Sequence, residues 1–230
     1  MGKITLYTNH ACPFAHRAHI ALEELGLEFE EVIIDLDTPR EPSYLEINPR
    51  GLVPTIKYDE HIITESSVIT QFLADLKESH LLPASGTVDA ALKRARIAFF
   101  VDTFNTKIIS GLYGTLRADS EEEKIAKGTQ FVEAIEKEIA PLLEGAGPFF
   151  GGSKELTLAE VNTASFVVRI NSFIKGKDGW IPDFVGERLK ENKNWTAWTE
   201  AILAKLSVTN IWDEAYTEKT KKRILESKQK

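Results

Sequence analysis

The pattern of hydrophobic and polar positions begins with a strand followed by a helix. Residues 3–8 alternate weakly between the two classes and predict a strand. Pro13 then suits the first turn of a helix, and Gly26 stands where that helix would stop. The helix between them is identified by one apolar stripe at helical spacing, made of Ala18, Ala21, Leu22 and Leu25.

Further elements complete an α/β pattern. Residues 29–35 are rich in β-branched side chains and predict a second strand, parallel to the first. After a proline-containing loop, residues 53–58 and 61–64 predict an antiparallel hairpin. Ser66 or Ser67 can cap a third helix. The apolar stripe of that helix consists of Val68, Ile69, Phe72, Leu73 and Leu76.

Strand patterns almost vanish in the rest of the chain, which predicts a separate helical domain. Residues 88–115 form one long helical pattern, and capping-box sequences open two more helices at Ser120–Glu123 and Thr157–Glu160. The helix after Thr157 is apolar nearly all round, which is typical of a helix buried at the centre of its domain. The predicted division is an α/β thioredoxin-like domain over residues 1–80, a linker at 81–87 and an all-α domain over 88–230.

The C-terminal region is expected to hold two more helices and a polar tail. Pro182 opens the first helix, and Asn194 is predicted to cap the second, which runs to Leu206. From Thr217 onward the residues are mostly charged, and we expect them to be solvated.

Composition and charge exclude several classes of function. The chain is 43% hydrophobic and 27% charged with a formal net charge of −7, which is ordinary for a globular protein and argues against a nucleic-acid partner. No segment approaches the roughly 18 uninterrupted apolar residues of a membrane span, and the N-terminus lacks the pattern of a signal peptide. A single cysteine permits no intramolecular disulfide, so we expect a reduced compartment, the cytoplasm.

Cys12 lies where the first strand becomes the first helix. Free backbone N–H groups and the positive end of the helix dipole favour the thiolate there, which is the nucleophilic form. Most lone cysteines are instead small buried hydrophobic residues, but the helix start and Pro13 favour the reactive interpretation. Ala15 occupies the second cysteine position of a C-x-x-C motif, so any disulfide of Cys12 must join it to another molecule, such as a small thiol.

Two histidines, His16 and His19, follow Cys12 on the same predicted helix. When protonated they could add local positive charge. We interpret them as exposed surface residues without metal-ligand partners, and we expect the protein to hold no metal ion.

Two further motifs suit the parts of a small peptide. Val53-Pro54 opens a strand, and a cis peptide there would turn the backbone groups of Val53 outward to pair with an extended ligand. Glu65 and Ser66 stand at a strand-to-helix junction, where a carboxylate and helix-start donors suit the zwitterionic end of an amino acid. Taken alone, the first motif is a turn and strand, and the second is an N-cap serine beside a glutamate. Taken together with Cys12, they match the parts of glutathione.

The combined motifs resemble the cytosolic glutathione transferases. "CPFAHR" at 12–17, "NPRGLVP" at 48–54, "ES" at 65–66 and "LLP" at 81–83 are similar to the omega-like, cysteine-type branch. "LTLAEV" at 156–161 resembles the capping box of the central helix in that family. The resemblance implies a thioredoxin-like domain, an all-helical second-substrate domain and a homodimer.

The resemblance also implies roles for individual residues. Cys12 matches the catalytic cysteine, which forms a mixed disulfide with glutathione. The residues implied in glutathione binding are Phe14, Arg40, Val53, Pro54, Glu65 and Ser66. Within this set Val53 pairs with the cysteinyl backbone, Glu65 and Ser66 hold the γ-glutamyl group, and Arg40 meets the glycyl end. The residues implied near the second-substrate pocket are Arg169, Trp212 and Tyr216, which could equally be packing or surface residues.

Two hypotheses follow from these patterns. In the first, the chain is an enzyme that uses glutathione as co-substrate, with no metal, on a small electrophilic or glutathionylated substrate. Its expected activities are those of a thiol transferase, a dehydroascorbate reductase or a glutathionyl-conjugate reductase. In the second, the chain is a non-catalytic glutathione-transferase-like binding or regulatory module. The complete set of Val53, Glu65 and Ser66 beside Cys12 favours the enzyme.

Overall fold

The structure is a computed structural model that describes residues 2–176 and 179–228. The N-terminal part of the chain is built on a four-stranded sheet. Its strands are β1 (Ile4–Thr8), β2 (Glu30–Ile33), β3 (Thr55–Tyr58) and β4 (His61–Thr64). β1 pairs parallel with β2 and antiparallel with β3, and β3 pairs antiparallel with β4, so the spatial order is β2-β1-β3-β4. The accompanying helices are α1 (Pro13–Glu24), α2 (Pro42–Ile47) and α3 (Ser66–Asp75). The predicted α/β order is confirmed.

The remainder of the described chain is mostly helical, as predicted. Its α-helices are α4 (Val88–Thr103), α5 (Ser110–Leu116), α6 (Glu121–Ala134), α7 (Leu158–Lys175), α8 (Asp183–Glu191), α9 (Lys193–Leu203), α10 (Leu206–Thr209) and α11 (Ala215–Lys228). A π-helical stretch over residues 104–109 joins α4 to α5, so the long helical pattern at 88–115 is one continuous helical run. A π and a 3-10 stretch over residues 135–143 extend α6 in the same way.

Helix α7 is the central helix of this half, and it packs against α1, α3, α4 and α9. Its predicted capping box is present: the Thr157 N–H donates to the fully buried Glu160 carboxylate at 2.8 Å, and Thr157 Oγ1 accepts from the helix start. The same carboxylate accepts from the Phe150 N–H and from the Trp198 indole N–H, both at 2.8 Å. One buried acidic side chain therefore joins the start of α7 to a preceding loop and to α9.

Both halves contribute to the main hydrophobic core. One continuous cluster of buried side chains includes Leu22 and Ile69 from the α/β part and Phe100 and Phe166 from the helical part. The segment between them runs from the end of α3 to Thr87, the N-cap of α4. The exact domain division stays a prediction. Among the described helices, none has the length and hydropathy to cross a lipid bilayer.

The predicted cap at Asn194 is wrong. α9 begins at Lys193 and ends at Leu203, and the side chain of Asn192 accepts from the Trp195 N–H at 3.1 Å. Asn194 lies inside the helix, and its amide donates to the Ala140 carbonyl at 3.2 Å. Two asparagines close together give equivalent local signals, so only the packing of α8 against α9 decides between them.

The expectation of a solvated tail from Thr217 is also wrong for the described part. Those residues belong to α11, where Thr217, Lys221 and Ile224 are buried. Their spacing is helical, but only one of the three is apolar, so the charged composition hides the periodicity. The Ser172 hydroxyl on α7 lies 2.8 Å from that of Thr217, which holds the helix against the core. Gln229 and Lys230, at the end of the predicted tail, lie outside the described residues.

Candidate functional site

The thiol lies at the junction of β1 and α1. Cys12 is the N-cap of α1, with an extended backbone and no side-chain hydrogen bond to the helix, and Pro13 follows as the first helical residue. Its Sγ lies 3.8 Å from the Val53 carbonyl oxygen, and the side chain is partly exposed. A thiol that neither caps its helix nor lies in the core is accessible to an incoming disulfide.

A cavity of about 340 Å³ opens beside this thiol. It brings together every residue predicted for the catalytic and glutathione-binding site, which are Cys12, Phe14, Arg40, Val53, Pro54, Glu65 and Ser66. Their individual roles stay predictions. A larger cavity of about 700 Å³ lies at the other end of the sheet, around Lys3 and Lys77, far from the thiol.

The Val53–Pro54 peptide is cis, and Val53 is largely buried beside Ala15 and Tyr44. The loop before it is fixed by side chains that the sequence reading passed over. The Tyr44 hydroxyl and the Asn48 amide donate to the Leu52 carbonyl, at 2.5 and 2.9 Å. These buried hydrogen bonds hold the strand edge beside the thiol in one conformation.

Glu65 and Ser66 lie at the start of α3, across the cavity from the thiol. Glu65, not a serine, is the N-cap, and its backbone has φ 69° and ψ 117°. Its carboxylate forms an ion pair with Arg50, a residue for which the sequence indicated no role. Ser66 is the first helical residue and is buried, so its hydroxyl and the helix-start amides border the cavity.

Arg40 also borders the cavity, but its guanidinium is engaged with the loop. Its Nε donates to the Gly51 carbonyl at 3.0 Å, and its Nη1 donates to the carbonyls of Asp35 and Thr38, both at 2.7 Å. Gly51 has φ +62° and its α-carbon lies against the Arg40 side chain, which favours glycine here. Arg40 therefore shapes the loop that closes one end of the cavity.

Arg17 is a buried cation behind the site that the sequence reading did not single out. Its guanidinium lies 5.1 Å from the ring centres of both Phe14 and Phe166. It donates to the Ser66 hydroxyl at 3.2 Å and to the Asn105 side-chain oxygen at 2.6 Å. Burial lowers the pKa of Arg17 to about 10, so it stays protonated at neutral pH. Its position as the sixth residue of "CPFAHR" was the available signal.

The three residues predicted for a second-substrate pocket form one stack. Arg169 is buried and donates to the Ala11 carbonyl at 3.1 Å, beside the thiol. Its guanidinium lies 4.7 Å from the Trp212 ring centre, and the Tyr216 ring meets Trp212 edge-on at 5.8 Å. None of these three side chains lines the cavity beside Cys12. Their role toward a substrate stays a prediction.

The prediction that His16 and His19 are exposed is wrong. Both are buried, because α1 packs against α3 and α7, and because His19 lies against Thr8 of β1. Burial lowers the pKa of His19 to about 4 and that of His16 well below its usual range, so both are neutral at pH 7. They contribute no positive charge to the thiol. His16 Nε2 lacks a hydrogen-bond partner among the described residues.

Comparison with known proteins agrees with this architecture. Residues 11–76 match the "Glutathione S-transferase, N-terminal domain" family. The chain is 30% identical over 156 residues to glutathione S-transferase omega-1 of Mus musculus, covering 66% of this chain but only 60% of that protein. It superposes on glutathione transferase Omega 2C from Trametes versicolor with a TM-score of 0.81 and 29% identity, covering 98% of this chain and 100% of that one. A rice transferase solved in complex with glutathione superposes with a TM-score of 0.79 and 25% identity, covering 99% of each chain.

Proposed function

This chain belongs to the glutathione transferase family of enzymes and has omega-class structural neighbours, and from that premise we propose that it is a thiol transferase of the omega type. The observation that carries the proposal is the position of the Cys12 thiol, 3.8 Å from the Val53 carbonyl at the edge of the cavity that Glu65 and Ser66 also line. A thiolate there is within reach of a disulfide sulfur held by that cavity.

The proposed reaction has two thiol–disulfide exchanges. The Cys12 thiolate attacks the glutathionyl sulfur of a glutathionylated small molecule, forming a Cys12–glutathione disulfide and releasing the substrate as its thiolate. The thiolate of a second glutathione then attacks the glutathionyl sulfur, forming oxidised glutathione and freeing Cys12. In sum, one mixed disulfide and one glutathione become the free substrate thiol and one oxidised glutathione, so the substrate sulfur is reduced and the sulfur of the second glutathione is oxidised. Since Cys12 is the only cysteine, no internal thiol competes for the intermediate.

The cavity supports binding of one glutathionyl group. The backbone of Val53, which lines the cavity beside Cys12, suits the cysteinyl amide, which would pair in the manner of an added strand. The Glu65 carboxylate suits the ammonium of the γ-glutamyl group, and Ser66 with the helix-start amides suits its carboxylate. Arg50 is already paired with Glu65, and it is placed to meet the carboxylate of the γ-glutamyl group when the ligand binds.

The same geometry argues for reduction rather than conjugation. A conjugating transferase keeps glutathione as a free thiolate, whereas a cysteine beside the bound thiol forms a disulfide with it. The proposed activities are therefore thiol transfer, dehydroascorbate reduction and glutathionyl-conjugate reduction, which serve detoxification or redox repair. This chemistry needs a free thiol and reduced glutathione, which supports a cytoplasmic location.

The test of the proposal is Cys12→Ser, which keeps the cavity and removes the nucleophile. We expect the variant to lose reduction of a glutathionylated small molecule and to show no glutathionyl adduct by intact mass after oxidised glutathione. Glutathione affinity, measured by calorimetry, serves as the control and should be retained, because the other cavity residues are unchanged. Wild-type turnover in the serine variant would refute the assignment of Cys12.

We also propose that the protein is a homodimer. Helix α4 carries an exposed apolar stripe formed by Val88, Leu92 and Phe99, with Phe99 60% exposed. Large exposed apolar side chains in one stripe are typical of an interface. Sedimentation should give a dimer for the wild type and a monomer for Phe99→Glu. A wild-type monomer, or a variant that still dimerises with unchanged affinity, would contradict this.

A further inference from the structure

Three potential metal ligands converge on the side of α1 that faces the sheet edge. They are the Nε2 atoms of His10 and His19 and a carboxylate oxygen of Glu31, and all three lie within 4.8 Å of one another. Glu31 Oε1 is 2.6 Å from His10 Nε2 and 3.3 Å from His19 Nε2. Three groups of this kind around one point constitute a ligand set, whereas a lone histidine does not.

The fold brings these residues together from three separate segments. Glu31 lies on the edge strand β2 opposite Leu6 of β1, so its side chain projects from the same face of the sheet toward α1. His19 is on α1 above that face, and His10 is in the loop between β1 and α1. His10 and Glu31 lie 9 and 12 residues from His19 on other elements, so the sequence pattern alone did not place them beside it.

We propose that His10, His19 and Glu31 bind a divalent transition-metal ion of the zinc type. Two imidazole nitrogens and one carboxylate oxygen with an open fourth position suit Zn²⁺ and its neighbours rather than Mg²⁺ or Ca²⁺, which prefer all-oxygen ligands. Zinc with ligand bonds of about 2.0–2.1 Å in a tetrahedron separates its ligands by about 3.3 Å. The His19–Glu31 separation already has this value, and the His10–Glu31 separation must widen by less than 1 Å.

The surroundings allow an ion to enter and hold the His19 ligand in place. The side chains of His10 and Glu31 are about one-third exposed, at 31% and 33%, so the site opens to solvent. His19 is fixed by the Phe29 ring, 5.8 Å away and edge-on, and its Nε2 also lies 2.9 Å from the Thr8 hydroxyl. When the ion binds His19 Nε2, the hydrogen bond to Thr8 would be lost and the threonine side chain would rotate away.

The site is separate from the proposed glutathione cavity, although it shares the β1–α1 loop with it. None of its three ligands lines the cavity that contains Cys12. The backbone at His10 is held by the Arg169 guanidinium, which lies 3.3 Å from the His10 carbonyl. An ion at His10 would therefore stabilise the loop from the side opposite the thiol, joining β2 to α1.

The experiment measures Zn²⁺ binding to the whole chain by equilibrium dialysis and calorimetry at neutral pH. We expect one Zn²⁺ per wild-type chain. The dissociation constant should rise at least about tenfold in His10→Gln and in Glu31→Gln. Removing a residue that only hydrogen-bonds a metal ligand already weakens metal binding by about that factor. Both substitutions are at partly exposed positions, so folding should be retained. The matched control is His80→Gln, which removes a histidine of similar exposure, 33%, paired with only one carboxylate, Glu24.

The thiol provides the second control, because zinc also binds thiolates. Cys12→Ser should bind Zn²⁺ as the wild type does, and a Co²⁺-loaded protein should lack a thiolate-to-cobalt charge-transfer band. Zinc should raise the melting temperature of the wild type and of Cys12→Ser but not of His10→Gln. Three outcomes would overturn the assignment: no stoichiometric zinc in the wild type, unchanged affinity in His10→Gln and Glu31→Gln, or equal loss in Cys12→Ser or His80→Gln.

Discussion

The backbone of Glu65 is strained at the position where its side chain is proposed to bind glutathione. With φ 69° and ψ 117° it occupies a region that residues with a Cβ atom rarely adopt. Such a residue costs about 1–3 kcal/mol, and strain of this kind is tolerated where function requires it. Replacing Glu65 by glycine should therefore raise stability while it removes the carboxylate that is proposed to bind glutathione.

The expected difference in the free energy of unfolding follows from comparing Glu65→Gly with Glu65→Ala. Both remove the carboxylate and its ion pair with Arg50, which involves side chains 54% and 63% exposed and contributes little. Only glycine relieves the strain of about 1–3 kcal/mol, and it loses about 0.5–1 kcal/mol to chain entropy. Glycine should be the more stable variant by about 1 kcal/mol, which corresponds to about 2–4 °C in melting temperature for a chain of this size.

Calorimetry would measure glutathione affinity, and urea unfolding would measure the free energy of unfolding, on the same samples. Glutathione affinity should fall about tenfold or more in both variants, because each loses one charge-assisted hydrogen bond worth roughly 1.5–3 kcal/mol. Glu60→Ala, at a carboxylate 89% exposed on the β3–β4 turn, is the control for general loss of negative charge. An alanine variant as stable as the glycine variant would refute the strain argument. Unchanged affinity in both would refute the role of the carboxylate.

Two further substitutions test the buried polar groups. Glu160→Gln places an amide nitrogen against two of its four buried donors, so the free energy of unfolding should fall by about 2–6 kcal/mol in urea titrations, and an unchanged midpoint would contradict this. In Arg17→Lys, one ammonium cannot reach both Ser66 and Asn105, so glutathione affinity should fall about tenfold. The control is Arg96→Lys at an exposed position, which should leave the affinity unchanged. Equal glutathione affinity in the Arg17 and Arg96 variants would show that Arg17 does not contribute to glutathione binding.

Local signals predicted most of the fold. The alternation in residues 3–8, the hairpin around residues 59–60 and the capping box at Thr157 are short-range patterns whose physical causes act within a few residues. The α11 helix was missed because it is stabilised by tertiary contacts, such as the ion pair between Arg223 and Asp37, that no local pattern records. Helices whose buried face is mostly polar cannot be recognised from hydrophobicity alone.

The candidate site was predicted at the residues that line the cavity and missed at the residues behind them. Cys12, Val53 and Glu65 stand at element boundaries, where the sequence marks them with proline, glycine or serine neighbours. Arg17 and His19 lie within α1, and both were hidden because helical polar residues are usually exposed. Their burial depends on α1 being covered on two sides, which is a property of the assembled fold.

Two buried arginines, from opposite halves of the fold, give the thiol its electrostatic environment. Arg17 on α1 and Arg169 on α7 are each at least 96% buried, and in the described part of the chain neither pairs with a carboxylate. Burial lowers the pKa of each to about 10, and interaction with the Cys12 thiolate partly opposes that shift. An unpaired guanidinium is costly to bury, so two of them are best explained by an anion that both can stabilise. We propose the Cys12 thiolate, and the carboxylate of a glutathionyl group bound beside Ser66, as those anions. On this proposal the helical half takes part in the chemistry of the α/β half through charge, and the proposed reactivity of Cys12 depends on the assembled chain as well as on the helix start.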